Sequence, residues 1–219
     1  MTTIRDTEQE KQAAAEAAAA LVEDGMLVGL GTGSTVKYFL EALARRSLDL
    51  RCVATSPRTE AAGRELGLMI EPFEGLDRLD IAIDGADQID PACWVVKGGG
   101  AAHTREKIVA AAADRFVVIA SSDKLVEVIA PPIPLELLAY GLDATLRRLG
   151  SVALRDVPPS PDGGVIADYL GAVDDPAQLS ARLAETPGVV EHGLFPPALV
   201  SEVLVAHGDE VERLAPGGG

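Results

Sequence analysis

The chain has almost nothing with which to build a metal centre or a disulfide framework. Its two cysteines, Cys52 and Cys93, are too few and too far apart for a cross-linked scaffold or a zinc site. Its three histidines, His103, His192 and His207, include no pair at metal-ligand spacing. No serine occupies a Gly-x-Ser-x-Gly elbow and neither cysteine has a paired base, which removes the common hydrolase chemistries. No apolar run reaches the ~18 residues of a membrane span. The opening MTTIRDTEQEKQ lacks the basic and apolar regions of a signal peptide. Positive charge is scarce as well: 19 Lys and Arg face 34 Asp and Glu, for a formal charge of −15. Such a field repels nucleic acid and anionic membrane surfaces. The expectation is a reduced, cytoplasmic protein, with no histidine- or cysteine-built metal site.

Lysine is the rarest of the common charged residues, present only at Lys11, Lys37, Lys97, Lys107 and Lys124. Base-composition drift explains such a bias as well as function does. Yet Lys97 and Lys107 share a glycine-rich segment, and Lys124 follows an apolar run in SSDK, where a compact point charge suits a site.

With 219 residues, 47% of them hydrophobic, the chain has room for one large domain or two small ones around a real core. An alanine-rich helix is expected over 8–24, ended by Gly25. Short apolar strands at 26–30, 50–55, 79–84 and 115–120 then alternate with helical segments, which predicts an α/β fold. Its centre is a Rossmann-like parallel sheet flanked by helices. After residue 130 the proline-punctuated APPIPLELL suits a domain crossing, and strand, hairpin and helix signals follow to VVEHGLF. The expected division is a catalytic domain of residues 1–129 plus 204–219 and a smaller α+β domain of residues 130–203. The tail strands return to the first sheet.

Three motifs follow strand ends, where ligands bind in such sheets. GLGTGST at Gly29–Thr35 is neither a dinucleotide fingerprint nor a Walker A loop. It presents backbone N–H groups, hydroxyls and a helix start suited to a phosphate, although a bare strand–helix turn would have the same glycines. DGAD at Asp84–Asp87 offers carboxylates for sugar hydroxyls or for a shared Mg²⁺, or is only an acidic turn. KGGGAAHTREK at Lys97–Lys107 is the most specific: three glycines beside a cation can stabilise an oxyanion. Glu106 sits in the first turns of the following helix as a candidate base; a lone carboxylate there is more commonly a dipole partner. Arg105 and Lys107 should point elsewhere.

These motifs, with DGADQID and the later PGVVEHGLF, resemble ribose-5-phosphate isomerase of the A type over nearly the whole chain and in their spacing. The resemblance implies an aldose–ketose isomerase of the non-oxidative pentose phosphate pathway that moves one proton through a cis-enediolate and needs neither a metal nor a redox cofactor. It implies a phosphate site at Thr32, Gly33, Ser34 and Thr35, reached by Lys124 and less securely by Lys11. It further implies sugar contacts at Asp84, Gly85, Ala86, Asp87, Lys97, Gly98, Gly99 and Gly100, and Glu106 as proton acceptor. Lys97 would hold the enediolate oxygen, and Asp84, preferred over Asp87, would assist ring opening. A homodimer or homotetramer is expected from the small second domain and the apolar strands. His103 replaces a usual bulky aliphatic residue, and Ser56–Thr59 is an atypical turn. Two other readings use the same residues: a sugar-phosphate sensor without turnover, and a CoA transferase with a nucleophilic glutamate.

Overall fold

The computed structural model describes residues 4–217, so Met1–Thr3 and Gly218–Gly219 of the expected catalytic domain lie outside the described residues. The largest sheet is built from β1 (Leu27–Leu30), β2 (Arg51–Ala54), β3 (Leu79–Gly85) and β6 (Ala113–Ser121), closed by β12 (Glu202–His207) and β13 (Glu210–Leu214). The strand order is β13-β12-β6-β3-β1-β2, parallel throughout except for the β12–β13 hairpin. Runs such as Phe116–Ala120 are buried because both faces are covered, as the unbroken apolar sequence requires. Helices α1 (Ile4–Ala19) and α2 (Ser34–Arg45) cover one face, with α3 (Pro57–Glu65) at the β2 side. Ala14, Ala15 and Ala18 are fully buried, and their small side chains let α1 lie close on β6 and β12. Helix α4 (His103–Ala112) packs on the other face through Val109 and Ala110.

A three-stranded sheet of β4 (Gln88–Ile89), β5 (Val95–Val96) and β11 (Leu194–Phe195) links this core to an antiparallel four-stranded sheet of order β10-β7-β9-β8. The latter contains β7 (Ile133–Leu137), β8 (Val152–Leu154), β9 (Val165–Tyr169) and β10 (Val189–His192). Helices α5 (Leu142–Leu149) and α6 (Pro176–Ala184) close it with Leu149, Leu179 and Leu183.

Three local expectations change. The first helix ends at Ala19, not near Asp24, because the Arg46 guanidinium takes the Ala19 and Val22 carbonyls as the chain tightens into turns. APPIPLELL is not merely a crossing: Ile133–Leu137 is an interior, fully buried strand. Pro134 is tolerated near its start, where its carbonyl accepts from the Gly193 N–H. VVEHGLF divides into β10 and β11 in different sheets. The break is Gly193, where an added Cβ would lie 2.1 Å from the Lys97 carbonyl oxygen.

Candidate active site

The carboxyl ends of β1, β3 and β6 open onto one cavity of about 120 Å³. At the end of β1, Gly31 is obligatory: a Cβ there would sit 2.0 Å from the Asp84 carboxyl carbon. Gly33 then takes φ +144, a conformation that favours glycine, and starts α2 with no side-chain cap. The first N–H groups of α2 are therefore left for an anion. The Thr32 hydroxyl turns away into a cluster with Thr55, Ser56 and Thr59, at 2.7–3.1 Å. The atypical Ser56–Thr59 turn is thus the N-terminus of α3, with Ser56 Oγ accepting from the Thr59 N–H, and it supports the Gly31–Gly33 turn from behind.

Beneath the cavity three charged side chains are buried together: Asp84 (2% exposed), Lys97 (3%) and Glu106 (3%). Lys97 Nζ lies 3.0 Å from Asp84 Oδ2 and 3.2 Å from Glu106 Oε2, and donates to the Gly85 carbonyl at 2.7 Å. The Lys97–Glu106 pair is close enough for ion pairing, but Oε2 accepts no hydrogen bond from the protein. Asp84 is saturated, since its Oδ1 accepts from the Thr32 and Gly85 N–H groups. Burial raises the Glu106 pKa to about 8, helped by Asp84 and opposed by Lys97. Burial likewise raises Asp84 against the pull of Lys97. For Lys97 burial works against the charge, but Asp84 and Glu106 outweigh it and hold the pKa above its ordinary value. The Phe195 ring, 5.7 Å from Lys97 Nζ, forms an apolar wall that keeps this ammonium dry.

The cavity wall contains Thr32, Gly33, Ser34, Thr35, Gly85, Ala86, Asp87, Lys97, Gly98, Gly99, Gly100, Glu106 and Lys124. Two expected residues are not in it. Asp84 lies below the wall, and Lys11 pairs with Glu8 at 2.6 Å. Asp87 is in the wall, with Oδ2 held by the Gly99 N–H at 2.8 Å. Arg105 pairs with Asp162 and Lys107 with Glu191, both away from the cavity as helical spacing required. His103 is wholly buried beside Gly98 and Pro134. Burial, with Lys107 nearby, drives its pKa down to about 4, so the ring fills space as a neutral group.

Sequence reasoning missed Phe195 and Arg155. Phe195 is brought under Lys97 by pairing of β11 with β5, a contact between segments about a hundred positions apart. Arg155 follows β8 and reaches the Gly98 carbonyl at 2.8 Å; its only local signal was an arginine inside a strand pattern. A larger cavity of about 590 Å³ lies on the far side of α4, lined by Ile70, Phe73 and Ile108, and shares only Glu106's helix with the charged site. Among the described residues no group of three or more His, Cys, Asp or Glu side chains converges as a metal site. The arrangement instead joins a poised carboxyl, a dry ammonium, glycine amides and an anion-binding helix start, which together suit proton transfer next to a developing oxyanion.

Residues 51–210 match the family model of ribose 5-phosphate isomerase A (phosphoriboisomerase A). A Ribose-5-phosphate isomerase A of Caulobacter vibrioides is 43% identical, over 95% of this chain and 99% of its own. The crystal structure of ribose 5-phosphate isomerase A from Neisseria gonorrhoeae superposes with a TM-score of 0.92 at 30% identity, covering 99% of both chains. A D-ribose-5-phosphate isomerase solved in complex with phospho-erythronic acid superposes at 0.89 with 33% identity, over 95% of this chain and 99% of that one.

Proposed function

Because the chain belongs to the ribose 5-phosphate isomerase A family, we propose that the cavity between Thr32 and Lys124 holds the sugar phosphate and that Glu106 moves its proton. The chain is an aldose–ketose isomerase that interconverts D-ribose 5-phosphate and D-ribulose 5-phosphate. The phosphate sits on the N–H groups of Gly33–Thr35 and on Lys124, far enough from the chemistry to position C1 and C2 without reacting. Asp87, which borders the cavity, assists opening of the furanose; the saturated Asp84 instead holds Lys97 and the Thr32 turn. This reverses the preference drawn from sequence. Lys11, paired with Glu8, is left out of the phosphate site.

Glu106 then takes the C2 proton of the open aldose and returns it to C1, while the hydroxyl proton of O2 passes to O1 across the cis-enediolate. As the proton moves, negative charge passes from the carboxylate to the enediolate, and Lys97 stays beside it throughout. The Gly98–Gly100 loop supplies further donors. The observation that carries this reading is the buried Asp84–Lys97–Glu106 group directly under the cavity. A pKa of about 8 makes Glu106 able both to accept and to release a proton near neutrality.

The separate large and small sheets support a division into a catalytic unit and a smaller unit of residues 130–203, although β12, which begins at Glu202, already pairs in the large sheet. A cytoplasmic homodimer or homotetramer is supported by two buried free cysteines and by exposed Leu138, Tyr140, Leu154 and Leu170 around the small sheet. Light scattering after gel filtration gives the oligomer directly.

Glu106→Gln tests the mechanism. It preserves shape but not basicity, so kcat should fall by roughly 10²–10⁴-fold while substrate still binds. Exchange of the C2 proton with D₂O should fall in step. Near wild-type exchange and turnover in a verified Gln variant would remove Glu106 from the role.

A further inference from the structure

Three consecutive glycines have no side chains with which to anchor their own peptide planes, so the direction of their N–H groups must be set from outside. Gly98 takes φ +109, open only to glycine, and Ala101 N–H closes the turn onto the Gly98 carbonyl at 3.0 Å. The outside anchor is Arg155, from the small antiparallel sheet. Its Nη1 donates to the Gly98 carbonyl at 2.8 Å and to the Gly99 carbonyl at 3.2 Å. Its Nε and Nη2 form a two-point pair with Asp168 on β9, at 2.8 and 2.6 Å, in a largely buried setting. All three nitrogens of the planar guanidinium are thereby engaged in four hydrogen bonds, a geometry that a lysine has no means of reproducing.

In a trans peptide the C=O and N–H point in opposite directions. Holding the Gly98 carbonyl therefore aims the Gly99 N–H the other way, and it meets Asp87 Oδ2 at 2.8 Å. Holding the Gly99 carbonyl fixes the peptide that carries the Gly100 N–H, on a loop whose Gly99 and Gly100 border both the charged cavity and a neighbouring cavity of about 640 Å³ that Arg155 itself lines. We propose that Arg155, braced by Asp168, is a positioning residue for the isomerisation. It aligns the glycine-loop donors and Asp87 from the neighbouring sheet and does not touch the sugar itself. The proposal rests on the site assigned above.

Arg155→Lys, Arg155→Ala and Asp168→Asn test it, each checked for folding by circular dichroism, with Glu106→Gln as the reference for the site. Misaligned donors should lower kcat by about 10–100-fold, the scale of small misplacements in an active site. KM should change less than about threefold, because the phosphate contacts are untouched. Millimolar guanidinium should restore several-fold of the activity of Arg155→Ala and none of that of Glu106→Gln. If Arg155→Ala does not fold, the Lys and Asp168→Asn variants decide by the same limits. Folded variants with kcat within twofold of wild type, or with KM raised at unchanged kcat, overturn the positioning role. An active Glu106→Gln would instead overturn the site assignment itself.

Discussion

At the scale of single residues, charge burial explains more than sequence neighbours do. Glu106 at a helix start would ordinarily be a low-pKa carboxylate, stabilised by the helix dipole. Burial overrides this and moves the pKa from 4.5 to about 8. As free-enzyme kcat/KM needs the ionised base, it should rise with pH through about 8, and a pH–rate profile checks this. The folded protein also holds this proton between 4.5 and 8 while the unfolded chain has lost it, so stability declines as pH rises across that window. Denaturation of Glu106→Gln and wild type at pH 5 and pH 8 should therefore show the Gln variant gaining relative stability at the higher pH. An unchanged difference would mean that Glu106 is ionised at pH 5. Lys124 lines a different part of the cavity, partly exposed and, among the described residues, ion-paired with Asp123 alone. Lys124→Ala should mainly raise KM, and with unphosphorylated ribose the variant and wild type should be equal.

At the scale of elements, ends matter more than middles. Ser56 caps α3 and Asp175 caps α6, each directly before a proline, a start pattern that acts within a single turn. Asp175 Oδ1 accepts from the N–H groups of Ala177 and Gln178, far from the cavity. Asp175→Ala should cost about 1 kcal/mol in urea denaturation and leave kcat and KM unchanged. The start of α2 is the opposite case, because its N-cap is Gly33 and no side chain caps it. Helices α4 and α5 lack a side-chain cap as well, so it is the position of the α2 start on the cavity, and not the missing cap alone, that suits it to the proposed phosphate. Boundaries set by distant partners were not readable. Nothing near Ala19 announces that Arg46 will take its carbonyl, and nothing in IPLEL separates an interior strand from a linker.

For the molecule as a whole, the two larger sheets have different tasks. The parallel sheet delivers Gly31–Thr35, Asp84 and Lys124 from three strand ends, while the small sheet grips the segment that carries Lys97 and Glu106. Its holds are Arg155 on Gly98 and Gly99, Glu136 on Thr104, and Glu191 on Lys107. The positive charge at the centre comes from an ammonium, and the described carboxylates near it are committed to backbone N–H groups or to Lys97. Turnover of ribose 5-phosphate should therefore persist in EDTA. Loss of activity restored by Mg²⁺ or Mn²⁺ would reassign Asp84 and Asp87 as metal ligands.

The order and kind of most elements and the motifs that line the cavity follow from the chain alone, whereas Glu106 as the base is a proposal that its burial beside Lys97 supports. Apolar runs, glycine spacing and cap residues act over a few positions, and their physics is local. Which carboxylate meets the cavity was decided only in three dimensions: Asp84 and Asp87 are three residues apart in one motif, yet one is saturated below the wall and the other borders it. The same holds for Phe195 beneath Lys97 and for Arg155 behind the glycine loop. Burial and long-range partners set these roles, and both exist only once the sheets have packed.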